Sequence, residues 1–185
     1  ESKTMKTIVS KLWRRLAGAA VLTALVAGCS TMNVGDAPNL PKTAAWAILP
    51  IANTTETPDA GQRAESIAQS ILVQNGFTDL HRYVGDPDGG DSLVGGNNAQ
   101  ARMRALEWAR KTGAKYALSG AVTEWRYKVG VDGEPVAGVT FDVIDVSNGS
   151  VVWSATGSRS GWSRSSLAGV GQTLIRNLLA PLAQR

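Results

Sequence analysis

The side chains in this sequence that can act chemically are acids in turns and indoles in unusual places. Asp79, Asp86, Asp88 and Asp91 fall between Phe77 and Asn98, where Arg82 is the only cation, and Asp132 and Glu134 occupy a second turn after Lys128. Aspartate favours turns for its own backbone hydrogen bonds, so such clusters arise without function. Repeated around a symmetric opening, the same groups would focus a negative field on a cationic ligand. The tryptophans divide. Trp46, Trp125 and Trp153 sit in strand-like runs and read as core, and Trp108 lies on a helical pattern. Trp162 stands in a small polar loop, Ser160-Gly161-Trp162-Ser163-Arg164, with Arg159 just before it. An indole flanked by arginines suits a lipid headgroup interface, where amphipathic rings and snorkelling cations are favoured. A protein contact, or a loop folded back on the core, fits it as well.

Other chemistry is missing its parts. His81 is the only imidazole and Cys29 the only thiol. No Ser/His/Asp or Cys/His nucleophilic set can therefore be built, nor a cysteine-cluster metal site or an internal disulfide. Phosphate-binding glycine motifs are absent. The run Asp86-Pro87-Asp88-Gly89-Gly90-Asp91 resembles a calcium loop superficially, but its glycine comes one position early and Asn97 stands where the twelfth-position glutamate belongs. Paired carboxylates arise readily by chance among the acids, so a hydrolase is the weaker class. The expectation is a non-enzyme without cofactor or metal.

Charge locates a leader. The chain of 185 residues has a net charge of +4, yet residues 29–185 hold fourteen basic and fourteen acidic side chains. The whole excess lies in residues 1–28, so attraction to nucleic acid phosphate has no support. Met5 reads as an initiator, and Lys6, Lys11, Arg14 and Arg15 as a positive n-region. The apolar run Leu16–Val26 has signal-peptide length and is too short to span a bilayer. It ends Leu25-Val26-Ala27-Gly28-Cys29, which resembles the bacterial lipobox, with Cys29 as the acylated residue. Acyl chains there contribute about 0.8 kcal/mol per buried CH₂, enough for a lasting anchor when two or three are attached. By resemblance to other bacterial lipoproteins, Ser30 after the cysteine implies the outer membrane rather than the inner.

The elements that position these groups follow from periodicity. Residues 29–42 carry two prolines and no hydrophobic period and read as a lipidated N-terminus and flexible tether. The domain spans 43–185. Thr43–Ile51 predicts a buried strand, and Asp59 an N-cap for a helix reaching Asn75 and closed by Gly76. Phe77–Tyr83 predicts a short strand, 84–98 a loop, and Gln100–Thr112 a helix with Met103, Leu106 and Ala109 inward. Tyr116–Tyr127 follows as a strand with Ala117, Ser119, Ala121, Thr123 and Trp125 on one face. Val136–Val146 and Val151–Thr156 form a hairpin through Ser147-Asn148-Gly149-Ser150, read as type I′. Gly157–Arg164 is a loop, and Ser165 or Ser166 caps a last helix with Leu167, Val170, Leu174, Leu178 and Leu182 buried. The order βαβαβββα predicts an α/β domain with a mixed sheet covered by helices.

Four runs carry a family resemblance: Trp46-Ala47-Ile48-Leu49-Pro50, Asn53-Thr54-Thr55-Glu56-Thr57-Pro58, the long Glu124-Trp125-Arg126-Tyr127-Lys128-Val129-Gly130-Val131-Asp132-Gly133-Glu134-Pro135, and Ser160-Gly161-Trp162-Ser163-Arg164. With the lipobox they resemble the PelC family, outer-membrane lipoproteins of Pel exopolysaccharide export, within the wider CsgG-like and LpoB-like group. The resemblance implies a CsgG-like fold and a ring of copies, a dodecamer, on the periplasmic face of the outer membrane. It implies the β-barrel porin PelB as partner, and a cationic amino-sugar polymer drawn through an electronegative opening. Asp132 and Glu134 would line that opening, and Asp86, Asp88 and Asp91 are placed there by inference. Trp162, Arg159 and Arg164 would meet the membrane. The alternative is an LpoB-like monomer activating a periplasmic cell-wall enzyme.

Overall fold

The structure, a computed structural model, describes residues 30–36, 38–85, 99–130 and 133–183. Its elements run β1 (Ser30–Val34), β2 (Trp46–Asn53), α1 (Ala60–Gln74), β3 (Leu80–Arg82), α2 (Ala99–Lys111), β4 (Tyr116–Tyr127), β5 (Pro135–Asp145), β6 (Val151–Ser160) and α3 (Leu167–Ala183). From Trp46 onward this is the expected βαβαβββα order in an α/β fold. The six strands make one mixed sheet, ordered β1-β6-β5-β4-β2-β3.

The chain steps from β2 out to β3 and back across β2 to β4, all parallel. Crossovers between parallel strands are right-handed, so a reversal of direction puts successive helices on opposite faces. Accordingly α1 joins α3 on one face, over Trp46, Ile48, Leu118, Val122, Phe141 and Trp153. The other face has α2 over Ala47, Leu49, Ala117 and Ile144. Burial on both faces is why Trp46–Leu49 is continuously apolar. Pro50 does not end this strand, which continues to Asn53. β3 pairs only as far as Ile48, so the missing N–H at Pro50 breaks no ladder on that side.

Several expectations change. Residues 30–34, read as part of a free tether, pair antiparallel with β6 as an edge strand. All five are exposed, so no burial pattern announced it. Asp59 stands at the start of α1 but makes no side-chain cap; its backbone is left-handed, at φ 59°. An aspartate reaches that conformation more easily than most residues. On α2, Ala105 and Ala109 are buried and Met103 is exposed, because the small side chains let the helix sit close to the sheet. Trp125 lies on the face opposite Ala117. A register shift between Val122 and Glu124 leaves Thr123 unpaired, and one extra residue inverts the alternation beyond it. The β5–β6 connection is not type I′. Only Gly149 is left-handed there, and its N–H closes a longer turn onto the Asp145 carbonyl at 2.8 Å. The Asp145 carboxylate accepts bonds from the Ser147 hydroxyl and N–H, which hold it below the ordinary carboxylate range.

Within the described helices, close approach requires glycine at two places. A Cβ on Gly171 of α3 would stand 2.2 Å from the Trp125 ring, and one on Gly61 of α1 would stand 2.1 Å from the Ile51 carbonyl oxygen. Trp125 is thereby walled in, at 2% exposure.

Candidate functional site

Three of the predicted features meet at one end of the sheet. β4 rises to Tyr127, β5 descends from Pro135, and β6 rises to Ser160. Gly161 N–H donates to the Pro135 carbonyl at 2.9 Å, and Leu167 N–H donates to the Tyr127 hydroxyl at 3.2 Å. The Trp162 loop is thus fastened to the base of the β4–β5 turn. Within it, Ser165 N–H bonds the Trp162 carbonyl, and the Ser166 hydroxyl accepts from Gly169 N–H, capping α3 as expected. The indole is left outside, 59% exposed.

Arg159 is not in that loop. β6 continues through Gly157–Ser160 because neighbours flank it on both sides: Arg159 stands opposite Ala137 of β5 and Ser30 of β1. Its alternation was unreadable, since both ladders are satisfied by backbone rather than by apolar side chains. With Trp162, Ser165, Ser166 and Thr173, Arg159 lines a surface cavity of about 250 Å³. Arg164 is exposed one turn on. The register also sets Ser30, which follows Cys29 in sequence, at this end, because it pairs with Arg159.

The turn itself is closed by Lys128. Its N–H donates to the Glu134 carbonyl at 2.8 Å, and its ammonium sits 3.2 Å from the Glu134 carboxylate. Glu134 is therefore held in an ion pair with Lys128. Gly133 takes a left-handed φ of 50°, and Val129 at the tip is fully exposed. Cys29, Asp86, Asp88, Asp91 and Asp132 lie outside the described residues.

The strands that precede the two acidic stretches in sequence, β3 and β4, end at different heights. Arg82 pairs beside Ile48, which is level with Leu118, nine residues before Tyr127. At about 3.3 Å per residue that is roughly 30 Å along the strands. Near this second stem, Asp79 contacts His81 at 2.7 Å, so it too is paired.

One ionisable residue escaped the sequence reading. Glu65 is almost wholly buried on α1, where it accepts the Ile51 N–H at 3.0 Å and meets Arg82 at 3.2 Å. Burial raises its carboxyl above the usual range, and the Ile51 bond and Arg82 oppose the rise. The signal was available: Glu65 falls inside the apolar stripe formed by Ala60, Ala64, Ala68 and Leu72. Among the described residues no group of three or more His, Cys, Asp and Glu could hold a metal, and no helix is long and apolar enough to cross a membrane.

Comparison with known proteins adds the following. No protein-family model and no curated sequence matches the chain. A solved PelC dodecamer from Paraburkholderia phytofirmans is 50% identical, over 85% of this chain and 99% of that one, with a TM-score of 0.71. A second crystal form of it, with one leucine replaced by methionine, is 49% identical at a TM-score of 0.73. Lipoprotein GNA1162 from Neisseria meningitidis shares the fold alone, at 17% identity and a TM-score of 0.51.

Proposed function

The chain belongs to the PelC family, and on that premise we propose that it is a lipid-anchored, non-enzymatic component of exopolysaccharide export. In this reading copies form a ring, a dodecamer, on the periplasmic face of the outer membrane. The ring guides a cationic amino-sugar polymer toward the β-barrel porin PelB. The observation that carries it is half-identity across 99% of a protein that is a dodecamer.

The geometry adds detail. Ser30, Arg159 and the Trp162 loop share one end of the sheet, which supports an anchor at Cys29 acting together with Trp162, Arg159 and Arg164 at the lipid surface. With Glu134 held by Lys128, the guiding charge of the turn rests on Asp132. Asp86, Asp88 and Asp91 would line the opening as well. A few acids on a neutral protomer make a weak field; ring symmetry multiplies it, and salt screens it.

The test replaces Asp132 with Asn in a strain whose secreted polymer can be quantified. Export should fall while the unfolding midpoint and the assembled mass stay as in wild type. Unchanged export would remove the guiding role. A wild-type chain that is monomeric in detergent at all concentrations would remove the ring and restore the regulatory alternative.

A further inference from the structure

The sheet has two edge strands, β1 and β3, and no described residue pairs with the outer side of either; β3 is only three residues long and carries Arg82, whereas β1 has no such guard. Native edge strands are commonly guarded by charges, proline, bulges or a covering segment. β1 is Ser-Thr-Met-Asn-Val: it has no charge, no proline and no register shift against β6. Its side chains are all exposed, and two of them are apolar, Met32 at 40% and Val34 at 37%. Gly35 N–H points inward, to the Ser154 carbonyl at 3.0 Å. Backbone groups alternate along a strand, so Thr31 and Asn33 also bond toward β6, while Met32 and Val34 turn their N–H and C=O outward. At the other end is β3. Trp46 N–H bonds the Asp79 carbonyl and Tyr83 N–H bonds the Ile48 carbonyl, so Asp79, His81 and Tyr83 face β2. By the same alternation Leu80 and Arg82 present their backbone groups outward.

Two open edges on opposite sides of one sheet are what a head-to-tail contact needs. A ring built by rotation buries two different patches per copy, each complementary to the other rather than to itself. We propose that β1 is a contact strand between copies, its outer edge pairing with the β3 edge of the next copy and continuing the sheet across the interface. Strands β2, β3, β4 and β6 run one way and β1 and β5 the other. Copies related by rotation about an axis along the strands would therefore pair β1 with β3 antiparallel. The contact joins two functions in one short segment, because β1 begins at the residue after Cys29. Anchoring and assembly would be set by consecutive residues.

The inference rests on the ring reading above, and the experiment separates the two. Met32→Pro removes an outward N–H without touching the β1–β6 ladder, and proline is tolerated at an edge position of that kind. The full chain is purified from membranes in detergent, and its mass is measured by light scattering. Wild type should be a large closed oligomer. Met32→Pro should fall to a single chain with an unchanged circular dichroism spectrum and unfolding midpoint. An equally large Met32→Pro assembly would overturn the β1 contact and leave the ring standing, while a monomeric wild type would overturn both. A second measurement reads the pairing directly. Met32→Cys combined with Leu80→Cys should give a ladder of disulfide-linked chains under mild oxidation, and neither single variant should. No ladder from the double variant would remove β3 as the receiving edge.

Discussion

Trp125 and Trp162 are the same residue in two opposed settings. Trp125 is enclosed by Gly171 and the helix-side core, and every contact it needs comes from its own chain. Trp162 is mostly in solvent, on a loop that is nonetheless pinned by Gly161, Ser165 and Ser166. A flexible loop would leave an indole exposed by default. A fastened loop exposes it in a fixed position, as the contact proposed above requires. The pair teaches that rigidity and burial are separate properties: the loop at Trp162 is fastened by backbone bonds although its indole is not buried.

Substitution at each indole should break or uphold that contrast most sharply. Trp125→Ala should cost about 3–5 kcal/mol, the usual range for an aromatic removed from a packed core, read as a fall in the urea midpoint. Trp162→Ala should change stability by under about 0.5 kcal/mol, as for surface substitutions, but lower the protein's retention on anionic vesicles. A large stability loss at Trp162 would mean that the loop belongs to the core after all.

Charge pairs extend the same comparison. Arg82→Ala leaves the buried Glu65 carboxylate without its partner and should cost about 2 kcal/mol. That is less than for a wholly enclosed pair, because Arg82 stays one-third exposed. Glu65 also predicts a pH dependence. Burial raises its folded-state value, so the native chain keeps a proton that the unfolded chain has already released. Stability should therefore fall as pH rises from the ordinary glutamate range through the raised value. Glu65→Gln should flatten that slope in urea midpoints measured from mildly acidic to neutral pH. Smallest of all is the turn pair: Glu134→Gln, which releases Lys128 in solvent, should cost under about 1 kcal/mol. A larger effect there would show that the turn is held by charge rather than by its backbone bonds.

Legibility followed the same division. Helix α1, strands β4 and β5, the Gly76 closure and the buried face of α3 were readable because each combines periodicity with a terminating residue. What misled was local. Asp59 looked like a cap by type, yet its backbone is left-handed and its side chain makes no cap bond. Trp125 was assigned by simple alternation, which a single unpaired residue at Thr123 inverted. β1 and the last turn of β6 gave no pattern, since their reason for being strands is a neighbour's backbone.

Composition and order alone show that the whole positive excess lies in residues 1–28, before a lone cysteine, that nucleophilic and thiolate chemistry lack their parts, and that helices alternate with strands. These depend on residue type and spacing along the chain, which need no folding to be read. Tertiary structure decided which of the described acids are paired, that Ser30 lies beside Arg159 near Trp162, that Glu65 is buried against Arg82, and that β1 and β3 are the outer strands of the described sheet. Each of those is a meeting of residues far apart in sequence, and the energy that selects the meeting lies in the packed sheet rather than in either segment.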